Sequence, residues 1–185
     1  KFEDKKKVIC LASRTGREID LFRLCFENEV IFRIVNFFEY RKNGFKNFFN
    51  FILKYKINDL KFFSDKNQSS FIGVELNKEL KRKDTLNISF DEIPKKYNNK
   101  FDIVYFNSLD HSKNPYLTAR NIEKICKKKN SFIIINFPKN QKSATLDPVS
   151  NVDIEDIKKL FKNFKLIYSN MYGSAHGYDE YILKN

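Results

Sequence analysis

Val8-Ile9-Cys10-Leu11-Ala12-Ser13-Arg14-Thr15-Gly16-Arg17-Glu18 is the stretch from which the fold is read. A short apolar run breaks into a small, polar, glycine-bearing turn and then into an amphipathic segment. That pattern predicts a buried strand, a tight loop and a helix start, the arrangement in which backbone N–H groups face a bound ligand. One glycine does not make a glycine-rich loop, so the assignment depends on the strands downstream and the residues that close them.

Further strands are predicted along the chain. Phe71-Ile72-Gly73-Val74-Glu75-Leu76 is apolar and closes on an acid, and Thr85 to Phe90 is a shorter candidate. Phe101-Asp102-Ile103-Val104-Tyr105-Phe106 is strongly apolar and ends at Asn107-Ser108. Phe132-Ile133-Ile134-Ile135-Asn136-Phe137 is a β-branched run of the kind buried on both faces of a sheet. Leu166-Ile167-Tyr168 and Tyr181-Ile182-Leu183 close the chain, with a turn from Gly173 to Gly177, including His176, between them.

Helical patterns alternate with these strands. Leu21, Leu24, Cys25 and Asn28 share one stripe after the opening turn. Pro115 starts a second helix with Leu117, Ile122 and Ile125 inward and Lys127-Lys128-Lys129 at its C-terminal end. Asp153 reads as the N-cap of a third, which carries Ile154, Ile157, Leu160 and Phe161. The order predicts an α/β domain spanning residues 1–185, a Rossmann-like, mostly parallel sheet with helices on both faces and an antiparallel pair at the end of the chain. Residues 29–68 interrupt the rhythm. Phe45, Phe48, Phe49, Ile52 and Leu53 follow helical spacing there, which predicts a helical insertion after the first helix.

Composition sets bounds. With 185 residues, 42% of them hydrophobic, the chain is long enough for one substantial core. No run reaches the roughly 18 apolar residues of a membrane span. No signal peptide is legible, and whether a targeting segment precedes Lys1 stays open. Cys10, Cys25 and Cys126 lie far apart and only His111 and His176 could join them, so no metal is expected, and scattered cysteines suit a reducing intracellular compartment such as the cytoplasm. The net charge of +12 is compatible with an acidic partner such as nucleic acid, but the abundance of Lys, Asn, Phe and Ile favours a compositional explanation, and the charge alone identifies no partner.

In an open α/β sheet ligands bind beyond the C-terminal ends of the strands. After the first strand come Ala12, Ser13, Arg14, Thr15 and Gly16. Glu75 ends the second, where a carboxylate accepts hydrogen bonds from a ribose. Ser89 and Phe90 follow the third, where an adenine would stack, and Asn107-Ser108-Leu109-Asp110-His111 follows the fourth. His111 is the candidate general base, a titratable imidazole at the mouth of such a cleft. Asp110 is a second candidate, with the competing role of an N-cap or turn residue ahead of Pro115.

The acid in Gly73-Val74-Glu75-Leu76-Asn77, the strand Phe101-Asp102-Ile103-Val104 and the strand order together resemble the class I S-adenosylmethionine-dependent methyltransferases. Leu11-Ala12-Ser13-Arg14-Thr15-Gly16-Arg17-Glu18 with Asn107-Ser108-Leu109-Asp110-His111 is similar to a branch whose motifs read "ARTGRE" and "NSLDH". The resemblance covers nearly the whole chain outside the insertion and implies a seven-stranded sheet and S-adenosylmethionine as cofactor. It places Ala12 through Gly16 around the amino-acid end of the cofactor, Glu75 on the ribose, Ser89 and Phe90 beside the adenine, and Asn107 at the methyl end. Four positions depart from the family pattern: Cys10 stands where an acid is usual, Ala12 and Arg14 replace glycines, and Ser89 replaces the third-strand acid.

Two functions are expected from this. One is methyl transfer to an unidentified acceptor such as a small molecule. The other is a catalytically inactive methyltransferase-fold module bound to RNA or protein in a complex. The Asn-Pro-Pro-Tyr type of base-flipping motif is missing after the fourth strand, against the common amino-methylating nucleic-acid enzymes. Oligomeric state is not legible.

Overall fold

The stretch from Lys7 to Leu11 forms β1, and Val8, Ile9, Cys10 and Leu11 are all buried. A strand apolar on both faces needs neighbours on both edges and cover above and below. The computed structural model of the chain supplies these, and it describes residues 6–13, 16, 18–20, 22–23, 70–77, 79, 82–90, 92–138, 148–150, 152–170 and 178–185. The expected insertion over 29–68, the helical stripe beyond Arg23, and the Gly173–Gly177 turn with His176 lie outside the described residues.

The other strands are β2 (Ser70–Val74), β3 (Thr85–Leu86), β4 (Ile103–Phe106), β5 (Phe132–Pro138), β6 (Lys165–Asn170) and β7 (Tyr178–Lys184). They make one seven-stranded sheet in the order β3-β2-β1-β4-β5-β7-β6. β1 to β5 pair in parallel, and β7 runs antiparallel between β5 and β6. The antiparallel pair expected at the chain end is present, with β6 at the edge of the sheet. Its Ile167 and Tyr168 side chains are half-exposed (50% and 47%).

β3 is shorter than the Thr85-to-Phe90 run predicted. The Ser89 N–H donates to Glu92 Oε2 (3.3 Å) and the Ser89 carbonyl accepts from the Glu92 N–H (3.1 Å). These bonds take Ser89 out of the ladder and start the short helix α1 (Ile93–Lys96). Helix α2 (Pro115–Ile125) begins at the proline, as expected, with Asn114 as N-cap accepting from the Leu117 N–H (3.0 Å). The cap is therefore not Asp110. Helix α2 also ends before the lysines, with Cys126 as its C-cap. Helix α3 (Ile154–Leu160) is capped by Asp153 in a reciprocal capping box with Asp156.

Side chains alternate across the strands and so build two core layers. Ile9, Leu11, Val74, Val104, Phe106, Ile133 and Ile135 pack with Ile93 of α1, Ala119, Ile122 and Ile125 of α2, and Ile157 and Leu160 of α3. Val8, Cys10, Phe71 and Ile103 face the other way, toward Ile19 and Phe22 of the first helical segment. Helical residues thus cover both faces. Below the sheet, Asp102 accepts from the Lys7 N–H (2.8 Å) and pairs with Lys127 Nζ (2.7 Å), tying the start of β1 to the start of β4.

Candidate functional site

The parallel strands end level with one another. Leu11 is paired with Val74 and Phe106, Phe106 with Ile135, and Val74 with Leu86. Ala12, Glu75, Asn87 and Asn107 are consequently the first residues beyond one common edge, while β5 runs on through Asn136 to Pro138. The chain leaves β1 toward β2 on one side and returns to β4 on the other, so the switch in strand order falls at β1, beside Ala12 and Asn107.

The loop after β1 is closed by hydrogen bonds and by close packing. The Ser13 N–H donates to the Val74 carbonyl (3.0 Å) and the Asp20 N–H to the Gly16 carbonyl (3.1 Å), which starts the first helix. Ala12 has φ 56° and Gly16 φ 77°, both left-handed, a region costly for Ala12 and free for Gly16. Ser13 is buried (1% exposed), with Oγ directly over Gly73. The structure therefore turns the Ser13 side chain and N–H inward, between the left-handed Ala12 and Gly16. Arg14 and Thr15 lie outside the described residues.

An ion-pair network lies on this loop. The Arg82 guanidinium sits against the Gly16 Cα, pairs with Asp84 (2.9 Å) and reaches Asp20 (2.7 Å), and Arg23 adds a bond to Asp84 (2.9 Å). The Arg82 hydrogen bonds, ahead of those from Arg23, hold the Asp84 carboxyl at about 2, below its ordinary 3.8. Sequence reading did not single out Arg82, because its partners lie 62 residues away at Asp20 and 2 away at Asp84.

Glu75 follows β2 half-buried, its N–H bonded to the Leu86 carbonyl (3.0 Å) and its Oε1 accepting from the Asn77 N–H (3.1 Å). Asn87 bridges the carbonyls of Glu75 (3.3 Å) and Asn77 (3.0 Å), which fixes this strand end. Ser89 and Phe90 follow β3, and Phe90 meets Phe106 edge to face (5.5 Å, 86°). Asn107 touches Glu18 across β1 (Nδ2 to Oε1, 3.4 Å) and accepts from the Ser108 hydroxyl (3.2 Å). Asp110 is buried (6% exposed) with Oδ1 unbonded among the described residues, whereas His111 is exposed, with Nε2 3.9 Å from Asp110 Oδ2.

Behind this edge, Asn136 Nδ2 donates to the Tyr105 hydroxyl (3.0 Å). Burial, then the charge of Glu18, pushes that phenol above its ordinary range. A polar residue inside the apolar run of β5 was the signal that could have marked Asn136. Burial likewise raises the Cys10 thiol far out of reach of neutral pH, so it is a core residue of β1.

The sequence matches no protein-family model and no curated protein. The structure does have solved neighbours. A SAM-dependent methyltransferase from Aquifex aeolicus aligns with 99% of this chain and 84% of its own, at 9% identity and TM-score 0.57. A Haloferax volcanii protein, in complex with the Trm112 methyltransferase activator, aligns over 98% and 83% at 11% identity and TM-score 0.58. The Burkholderia thailandensis 1,6-didemethyltoxoflavin-N1-methyltransferase, with S-adenosylhomocysteine bound, aligns over 98% and 72% at 9% identity and TM-score 0.56.

The fold is that of the class I S-adenosylmethionine-dependent methyltransferases.

In this methyltransferase fold the described residues Ala12, Gly16, Glu75, Phe90 and Asn107 stand around the one strand-end edge. Ser89 is drawn toward α1, Asp110 is inside the wall, and His111 is outside it. Among the described residues no helix is long and apolar enough to cross a membrane.

Proposed function

We propose that the chain is a methyltransferase that uses S-adenosylmethionine to methylate an acceptor we take to be a small molecule. The observation that carries this reading is Glu75. Its carboxylate stands one residue beyond β2, and β2 ends at Val74, whose carbonyl is bonded to Ser13 of the loop after β1. A carboxylate so placed offers two oxygens to a pair of ribose hydroxyls.

The residues present fit a nucleoside of this kind. Gly16 at φ 77° takes the left-handed turn that closes the loop after β1, with the Arg82 guanidinium packed in the space a side chain would fill. The Phe90 ring, braced edge-on by Phe106, gives an adenine an apolar wall, with Ser89 beside it. In this reading the loop from Ala12 to Gly16 surrounds the amino-acid end, with Arg14 and Thr15 toward it and Ser13 bracing it from behind, and Asn107 lies at the methyl end. When bound, the cofactor supplies a sulfonium methyl open to in-line displacement by an acceptor oxygen, nitrogen or carbon.

The chain's own contribution is then placement. Holding two reactants in near-attack geometry is worth roughly 7–11 kcal/mol in well-oriented intramolecular cases. His111, exposed at the mouth, takes a proton when the acceptor nucleophile carries one, with Asp110 Oδ2 3.9 Å from its Nε2.

Calorimetric titration with S-adenosylmethionine and S-adenosylhomocysteine tests the proposal. Micromolar binding is expected, and Glu75→Ala should weaken it by about 10–100-fold, the loss of hydrogen bonds to a charged group. Absence of binding at millimolar ligand would refute it. A second reading, a methyltransferase-fold module without turnover in an RNA or protein complex, draws on Ala12. An alanine held at φ 56° in the loop is a departure that a working glycine loop does not need.

A further inference from the structure

At the opposite end of the sheet the lysines gather. The Asn99 N–H donates to the Lys124 carbonyl (2.9 Å), the Lys100 N–H to the Ile125 carbonyl (2.9 Å) and the Lys127 N–H to the Phe101 carbonyl (2.8 Å). These bonds clamp the turn after α1 onto the end of α2. Left-handed Asn99 and Asn130 (φ 53° and 54°) reverse the chain on either side. The result is one surface carrying Lys95, Lys96, Lys100, Lys124, Lys128 and Lys129, all exposed.

The neighbouring acids are already engaged. Asp102 is buried and taken by Lys127 and the Lys7 N–H, and Glu123 accepts two bonds from Asn163 (3.1 and 2.7 Å). None of the six lysines makes an ion pair among the described residues, although Lys96 lies over the Tyr97 ring (5.5 Å). Cations at helix C-termini are ordinary, but each helix end carries only about half a negative charge. Two ends therefore account for about one of the six. The Glu92 and Glu123 carboxylates, whose bonding partners are uncharged, offset about two more, which leaves some three net positive charges on this surface.

We propose that this lysine surface binds the phosphate backbone of a nucleic acid. Lysine ammonium groups and exposed asparagine amides are the donors that phosphate oxygens take. The surface adjoins Phe101, and Asn107 lies six residues on along β4, about 20 Å away at strand rise. It is thus separate from the candidate cofactor cleft, and the proposal does not depend on methyl transfer.

The test is fluorescence anisotropy of labelled single-stranded RNA and of DNA of the same mixed 20-mer sequence, titrated with the full chain across KCl concentrations. If six phosphates are neutralised, affinity should fall by about 300-fold between 50 and 200 mM salt, from a slope of about −0.7 per contact. A variant with Lys95, Lys100, Lys128 and Lys129 all changed to Gln should retain two contacts and lose only about 7-fold over that range. A charge-matched control with Lys113, Lys158, Lys159 and Lys162 changed to Gln should behave as the unaltered protein. Thermal melts check that both variants stay folded.

Binding of RNA, DNA or both with this pattern supports the proposal, and the two arms say which. No binding by the unaltered protein at 50 mM salt would overturn it, as would equal losses in the two variants. Tighter binding of labelled poly-glutamate than of either nucleic acid would overturn it in favour of an acidic protein.

Discussion

Gly73→Ala sets two physical arguments against each other. Gly73 lies within β2, where glycine costs roughly 0.5–1 kcal/mol relative to alanine through backbone entropy, so propensity alone predicts that the change stabilises. Packing predicts the opposite. A Cβ at this position would overlap Ile19 Cδ1 and lie 2.5 Å from Ser13 Oγ and 2.9 Å from Thr85 Oγ1. Ile19 and Ser13 are buried (0% and 1% exposed), and Ser13 is held by Val74, so neither can step aside freely. Extra carbon in a filled core typically costs about 1–3 kcal/mol, leaving a net loss of about 1–2 kcal/mol after the propensity gain. For a chain of this size that lowers Tm by roughly 2–8 °C. Urea denaturation at constant m-value is the assay, with Ile19→Val added to the Gly73→Ala background. The shortened side chain should recover at least about 0.5 kcal/mol beyond additivity. A Gly73→Ala protein as stable as the parent would refute the close approach of the first helix and its loop to β2.

Three further outcomes are expected from the same geometry. Ala12→Gly removes a side chain from a left-handed residue (φ 56°) and should raise the unfolding free energy by about 1 kcal/mol, and a loss in urea denaturation would contradict this. Asp84 is held at about 2 against an ordinary 3.8, so its contribution is present above pH 4 and lost as pH falls from about 4 through 2. After allowance for solvent screening it is worth about 1–2 kcal/mol, and Asp84→Asn should lose that amount at pH 7 yet match the parent near pH 2 in pH-dependent denaturation. Asp102→Ala leaves the Lys7 N–H and Lys127 without their acceptor and should cost about 2 kcal/mol, with S-adenosylhomocysteine affinity unchanged by calorimetry because the residue lies at the far end of β4.

The strands most legible in the sequence were those buried on both faces. Val8 to Leu11, Ile103 to Phe106 and Phe132 to Phe137 are near-continuous apolar runs, and each forms a strand. The region after Leu86 was misread because Ser89 to Phe90 has strand-like composition, while Glu92, three residues on, offers a side-chain bond that ends the ladder. The cap before Pro115 was open between readings until Asn114 took the Leu117 N–H. In the site, the positions of Glu75 and Asn107 followed from where the apolar runs stop. Arg82 and Tyr105 did not, since an arginine in a turn and a tyrosine in a strand carry no local mark of the partners they meet.

Periodicity and the residues closing each run were enough to specify an α/β chain with polar groups at the strand ends, because alternation of apolar and polar positions is a local property. Strand order is not local. Only the tertiary structure sets β1 between β2 and β4 and inserts β7 inside β6, and so levels Ala12, Glu75 and Asn107 along one edge. It also decides that Gly73 is bare because Ile19 and Ser13 press on it, and that lysines of α1 and the turn after it come beside those of the end of α2 and the turn beyond. Each depends on contacts between residues distant in the chain, whose energies no single segment contains.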